Sequence, residues 1–129
     1  MGNRIIIIDD DRELVDELAG ILKSHGYEVD CAYDGEAGLS KISTAAPDLV
    51  LLDLRMKGMS GFRVADKLSC SAGASAIPII AMSGFYTPEE YALILRICGI
   101  RRCVTKPFSP DQILKEIFST LHHSTSTPL

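Results

Sequence analysis

Four consecutive isoleucines at positions 5–8 constrain this chain more than any other feature. A β-branched run without polar alternation suits a strand covered on both faces, since every side chain along it needs an apolar neighbour. Strands of that kind belong to parallel sheets flanked by helices. Further strand-length runs at positions 49–52 and 77–82 alternate with helix-period segments, which is the pattern of a helix-covered parallel sheet.

A first helix is predicted over about residues 12–25, with Leu14, Leu18, Ile21 and Leu22 as its inward stripe and Gly26 as its stop. Residues 27–32 read as the second strand. Asp34 can cap a helix to about Thr44, and Pro47 opens a third strand over 48–53. The next helix covers about 61–70, a small-residue loop 71–76, and the fourth strand 77–82. Thr87-Pro88-Glu89-Glu90 is a capping box with proline at the first helical position, which starts a helix running to about Cys98. Gly99 ends it, and the fifth strand takes 100–105. Ser109-Pro110-Asp111-Gln112 repeats the start signal for a last helix with Ile113, Ile117 and Leu121 inside. The expected organisation is one domain over 1–121, then a polar Ser/Thr-rich tail or linker stub over 122–129.

Five strand–helix units give an α/β chain of (βα)5 type with an open, doubly wound parallel sheet. Parallel crossovers are right-handed, and ligands bind beyond the carboxyl ends of the strands. Asp9-Asp10-Asp11, Asp53, Ser83 and Lys106 stand at those ends and should converge on one edge.

At 129 residues the chain can bury a core without disulfides or structural metal. A net charge of −4 and the lack of any Lys/Arg cluster beyond Arg101-Arg102 argue against direct nucleic-acid binding. No apolar run approaches the roughly 20 residues of a membrane span, and residues 1–4 lead into no secretory signal, so a cytoplasmic location is expected. Cys31, Cys70, Cys98 and Cys103 are scattered, with no metal-ligand spacing, and read as buried or incidental thiols.

Carboxylates brought together raise one another's pKa unless a cation neutralises them. Mg²⁺ suits such a place, preferring oxygen ligands and completing its shell with water and phosphate. Asp53 could act as a nucleophile toward phosphorus, with Lys106 and the Ser83 hydroxyl neutralising the transferred oxygens. Taken singly, each residue has a plainer role. Asp9 or Asp11 would cap a helix, Asp53 would be a loop carboxylate, Ser83 a turn residue and Lys106 a solvated charge. Their placement after four strands of one sheet favours a shared site.

Over residues 3–121 the chain resembles the response-regulator receiver family. The segments that carry the likeness are Ile5-Ile6-Ile7-Ile8-Asp9-Asp10-Asp11, Asp48-Leu49-Val50-Leu51-Leu52-Asp53-Leu54-Arg55-Met56 and Gly58-Met59-Ser60-Gly61. Pro78-Ile79-Ile80-Ala81-Met82-Ser83-Gly84 and Thr105-Lys106-Pro107-Phe108 follow in order. The resemblance implies a flavodoxin-like sheet of strand order 2-1-3-4-5. It implies Asp53 as phosphoacceptor, Asp10 as a direct Mg²⁺ ligand, Asp9 acting through a water, and the Arg55 carbonyl completing the protein ligands. Ser83 would be the switch hydroxyl and Lys106 the phosphate's ion-pair partner, followed by a cis peptide to Pro107. The implied activity is Mg²⁺-dependent phosphoryl transfer from a sensor histidine kinase or phosphotransfer protein, with slow autodephosphorylation rather than enzymatic turnover.

Two positions depart from the family pattern. Lys57 replaces the usual proline, and Cys103 replaces the aromatic that turns inward on activation. A switch through Ser83 and the following loop, with Phe85 taking part, is expected instead. The fourth helix carries Tyr91, Leu93, Ile94, Leu95, Ile97 and Cys98, with Arg96 nearly alone on its polar side. Either it is merely rich in apolar residues, or it forms a partner or homodimer surface with the fifth strand and last helix. Three other functions are weighed. A haloacid-dehalogenase-type phosphatase needs an acid where Arg55 stands, and a flavodoxin relative needs a phosphate cradle where three aspartates stand. A degenerate receiver that binds partners without phosphorylation would have no need of the complete acidic set.

Overall fold

The computed structural model describes residues 3–84, 87–96 and 99–123. Five strands, β1 (Arg4–Ile8), β2 (Glu28–Ala32), β3 (Leu49–Asp53), β4 (Ile79–Ser83) and β5 (Ile100–Thr105), form one sheet in the order β2-β1-β3-β4-β5. Every neighbouring pair is parallel. The helices between and after them are α1 (Arg12–Ser24), α2 (Gly35–Ala45), α3 (Gly61–Ser69), α4 (Pro88–Arg96) and α5 (Pro110–His123). This is the doubly wound, flavodoxin-like topology expected.

The isoleucine run is explained by the two-residue period of a strand. Ile5 and Ile7 pack on one face with Val15, Leu18, Ala19 and Leu22 of α1 and Ile113 and Ile117 of α5. Ile6 and Ile8 pack on the other, with Ile42 of α2, Val64, Ala65 and Leu68 of α3 and Ile94 of α4. All four isoleucines are fully buried. Neither face tolerates a polar side chain, so alternation is absent.

Helix starts follow the cap chemistry. Asp11 and Asp34 accept the Leu14 and Ala37 N–H groups. The Thr87/Glu90 and Ser109/Gln112 boxes are both reciprocal. Gly26 and Gly99 take positive φ, which ends α1 and turns the chain into β5.

The structure corrects some details. The buried stripe of α1 is Val15, Leu18, Ala19 and Leu22, while Leu14 and Ile21 are half-buried toward Phe108 and Pro110. The predicted stripe was centred one residue off because both candidate rows are apolar, and α5 covers the second row. The fourth strand starts at Ile79 and includes Ser83, and α5 runs through His123. Cys70 is exposed, whereas Cys31 and Cys103 are half-buried and burial raises both thiol pKa values. All three are free. Phe85, Ile97, Cys98 and the tail from 124 lie outside the described residues. Among the described residues, no helix is long and apolar enough to cross a membrane.

Candidate functional site

The carboxyl edge of the sheet is held by backbone hydrogen bonds that continue the ladders past the strands. The N–H groups of Asp9, Leu54 and Lys106 donate to the carbonyls of Ala32, Met82 and Ser83, at 3.1, 3.1 and 2.7 Å. Asp53 and Ser83 are the last residues of β3 and β4, and Lys106 follows β5 directly. Four strands, β1, β3, β4 and β5, thus deliver their terminal residues to one place, as the topology dictates.

Asp9 is fully buried, and Asp53 and Ser83 are nearly so. Lys106 Nζ lies 2.7 Å from Asp9 Oδ2 and 3.5 Å from Asp53 Oδ1. The other Asp9 oxygen accepts the Asp11 N–H at 3.0 Å, and Asp53 Oδ1 also accepts the Arg55 N–H at 3.3 Å. Burial of Asp53 raises its pKa, and the nearby Asp9 charge adds to this; Lys106 and the Arg55 N–H work the other way without cancelling it. The folded state therefore holds this proton more tightly than the unfolded chain. Stability falls as pH rises from the ordinary aspartate range through the raised value, and above it the ionised carboxylate is a standing penalty. For Lys106 the fold favours the charged form. Burial disfavours its charge, but the bond to Asp9 and the charges of Asp9 and Asp53 outweigh it, so its pKa is raised. Its contribution is intact below the ordinary lysine value and fades only as pH climbs through the higher folded one. The ammonium persists at neutral pH.

Asp9, Asp10 and Asp53 each offer a carboxylate oxygen, and these lie within 4.8 Å of one another. Two are buried and one is exposed, so the cluster is walled by the sheet yet open to solvent through Asp10. A donor set made only of hard oxygens, with room for water on one side, fits a Mg²⁺-sized ion and suits no soft metal. The Arg55 peptide nitrogen bonds Asp53, so this stretch of backbone lines the same pocket.

The structure brings together Asp9, Asp10, Asp53 and Lys106. Ser83 connects through Arg55, whose Nε donates to Ser83 Oγ at 3.4 Å. The peptide between Lys106 and Pro107 is cis, as the resemblance implied. Asp11 serves α1 as its cap.

Two contacts had no sequence signal. Where the family pattern has proline, the Lys57 N–H donates to Asp10 Oδ2 at 3.1 Å, a bond that proline has no hydrogen to make. The Arg55 side chain reaches Glu90 on α4 in an ion pair. These partners are separated by 47 and 35 positions, so no local pattern announces them.

A family model of the response regulator receiver domain matches residues 5–118. The chain is similar to a CheY-like response regulator receiver domain protein from Methanospirillum hungatei, at 28% identity and a TM-score of 0.89 over 97% of this chain and 98% of that one. It is similar also to the chemotaxis protein CheY4 of Vibrio cholerae, at 25% identity and a TM-score of 0.87 over 92% and 98%. NtrX from Brucella abortus matches 97% of this chain with 28% of its own length, at 28% identity and a TM-score of 0.86.

Proposed function

Because the chain belongs to the response regulator receiver domain family, the phosphorylation-regulated modules of two-component signalling, we propose that Asp53 is its phosphoacceptor. The observation that carries this is the position of Asp53. Its carboxylate ends a central strand, within 4.8 Å of two further carboxylates and 3.5 Å from an ammonium.

The donor is a phosphohistidine on a sensor histidine kinase or phosphotransfer protein. An Asp53 oxygen forms a bond to phosphorus while the phosphorus–nitrogen bond breaks. The bonding pair leaves with the imidazole nitrogen, which is then protonated from solvent. Phosphoryl transfer asks the protein mainly to position the partners and neutralise charge. Lys106, already between Asp9 and Asp53, pairs with the transferred oxygens. The Ser83 hydroxyl donates to one of them, and its movement signals occupancy. In this reading Asp10, Asp53 and the Arg55 carbonyl would hold Mg²⁺, with Asp9 beside them, and the ion would supply positive charge for the phosphoryl oxygens. Slow attack of water on phosphorus returns free Asp53 and inorganic phosphate. The chain is a switch rather than an enzyme with turnover.

The output face is α4-β5-α5. Ile94 is a buried residue of α4, while Tyr91 and Leu93 on α4 and Phe118 on α5 are large apolar groups about half exposed. Such groups support an output partner or a second copy of the chain. Cys103 packs half-buried against the core beneath α4, and its side chain is too small to reproduce an aromatic rotamer switch. Ser83 and the loop after it carry the signal instead. The cytoplasm, where such donors meet their receivers, is the proposed location.

Incubation with acetyl phosphate and intact-mass measurement tests the metal requirement. With Mg²⁺ a single adduct of about 80 Da is expected. With EDTA in place of Mg²⁺ the rate should fall about tenfold or more, since charge neutralisation at phosphorus is lost. Equal labelling in both buffers would remove the metal from the account.

A further inference from the structure

Arg55 joins three parts of the molecule that the phosphoacceptor chemistry does not itself connect. Its backbone N–H bonds Asp53 Oδ1, its Nε donates to Ser83 Oγ, and its guanidinium pairs with both carboxylate oxygens of Glu90. Glu90 is also the acidic half of the capping box that starts α4, accepting the Thr87 N–H at 3.0 Å. The Thr87 N–H bond is the largest influence holding the Glu90 carboxyl below its ordinary pKa, and Arg55 adds to it. The carboxylate therefore stays charged at neutral pH. One arginine side chain thus ties the hydroxyl at the end of β4 to the first turn of α4.

Resting on Asp53 as phosphoacceptor, we infer that Arg55 is a latch whose guanidinium pairs with Glu90 in the unphosphorylated chain and is drawn to the phosphoryl group when Asp53 is modified. Its backbone is anchored beside Asp53, so the guanidinium needs only side-chain rotation to exchange one acidic partner for another. A phosphoryl group carries about −1.5 to −2 charge against −1 for Glu90, and its oxygens accept the planar fork of an arginine equally well. Exchange removes the Nε bond from Ser83 Oγ and the guanidinium from Glu90 together. Ser83 Oγ then loses its Arg55 donor as the first turn of α4 loses its ion pair with Arg55. This role concerns the side chain alone. The Arg55 carbonyl proposed as a metal ligand is retained by any substitution except one that moves the backbone.

The two partners make the latch testable by a double-mutant cycle on the full chain, with beryllofluoride and Mg²⁺ as the phosphoryl-mimicking probe. Glu90→Gln removes the competing charge but keeps an oxygen to accept the Thr87 N–H, since glutamine serves a capping box as glutamate does. The expected result is roughly fivefold tighter beryllofluoride binding by E90Q, the upper range for a partly exposed ion pair. In an Arg55→Ala background the same substitution should change affinity by no measurable amount, because no guanidinium remains to be released. Hydrogen exchange at the first-turn amides of α4 should rise in wild type on adding beryllofluoride and already be raised in R55A without it. An E90Q effect of equal size in both backgrounds, or none in the wild-type background, overturns the latch while leaving Asp53 as acceptor. A wild type that takes up no beryllofluoride at Asp53 overturns the acceptor and the latch together.

Discussion

Asp53→Asn is expected to lose the acetyl phosphate adduct entirely while folding at least as well as the wild type. The amide has no nucleophilic carboxylate to form an acyl phosphate, so the chemistry ends at its first bond. The fold has reason to survive. Asparagine is nearly isosteric, and its Oδ1 can still accept the Arg55 N–H that the aspartate accepts at 3.3 Å. It also removes one charge from a buried group whose neighbours Asp9 and Asp10 repel it. Relief of that repulsion should stabilise the metal-free protein by about 1 kcal/mol, raising Tm by roughly 2–5 °C for a domain of this size. Loss of labelling with a raised Tm separates chemistry from folding, and is the usual signature of a site that trades stability for function. A persistent adduct in the variant would place the phosphoryl group elsewhere. A lowered Tm would mean that the acidic cluster supports the fold rather than straining it.

Gly61→Ala should be the most damaging single-methyl change near the site. Gly61 opens α3, with Ser60 as its N-cap. A Cβ there would lie 2.2 Å from the Asp53 carbonyl oxygen and 2.7 Å from Leu54 Cα. Those are backbone atoms of the strand end that presents the acceptor, so no rotamer can yield. Either α3 lifts from β3 or the Asp53 peptide moves. Overpacking against backbone is expected to destabilise by ~3 kcal/mol, with Tm lower by about 10 °C. Displacing Asp53 by even a fraction of an ångström should slow labelling by about 100-fold beyond any loss of folded protein. Thermal melts and adduct formation measured together test both halves. A variant that melts within a degree or two of wild type would show that α3 and β3 are not in the close contact described.

Much of this architecture was legible in the chain because its signals are local. The uninterrupted isoleucines at 5–8, the capping pairs at Thr87/Glu90 and Ser109/Gln112, and the glycines at 26 and 99 each act within a few residues of themselves. The candidate site was legible for a different reason. A doubly wound sheet gathers whatever stands at its strand ends, so the positions of Asp9, Asp53, Ser83 and Lys106 alone placed them on one edge. What escaped depends on long side chains and on backbone hydrogens meeting across the fold. Arg55 could be read for its carbonyl but not for a side chain that spans from Ser83 to Glu90. Lys57 could be read as a lost proline ring and an added charge, yet its consequence is the N–H it restores toward Asp10. The one-residue error along α1 has the same origin, since only the placement of α5 decides which of two apolar rows lies deepest.

Chemical mapping of the modified residue tests the central claim most directly. Borohydride reduces an aspartyl phosphate to homoserine, so reduction of the labelled protein followed by peptide sequencing reports where phosphorus was attached. The account predicts homoserine at position 53 and at no other aspartate. Homoserine at position 9 or 10, or an adduct that survives borohydride unchanged on a serine or histidine, would contradict it.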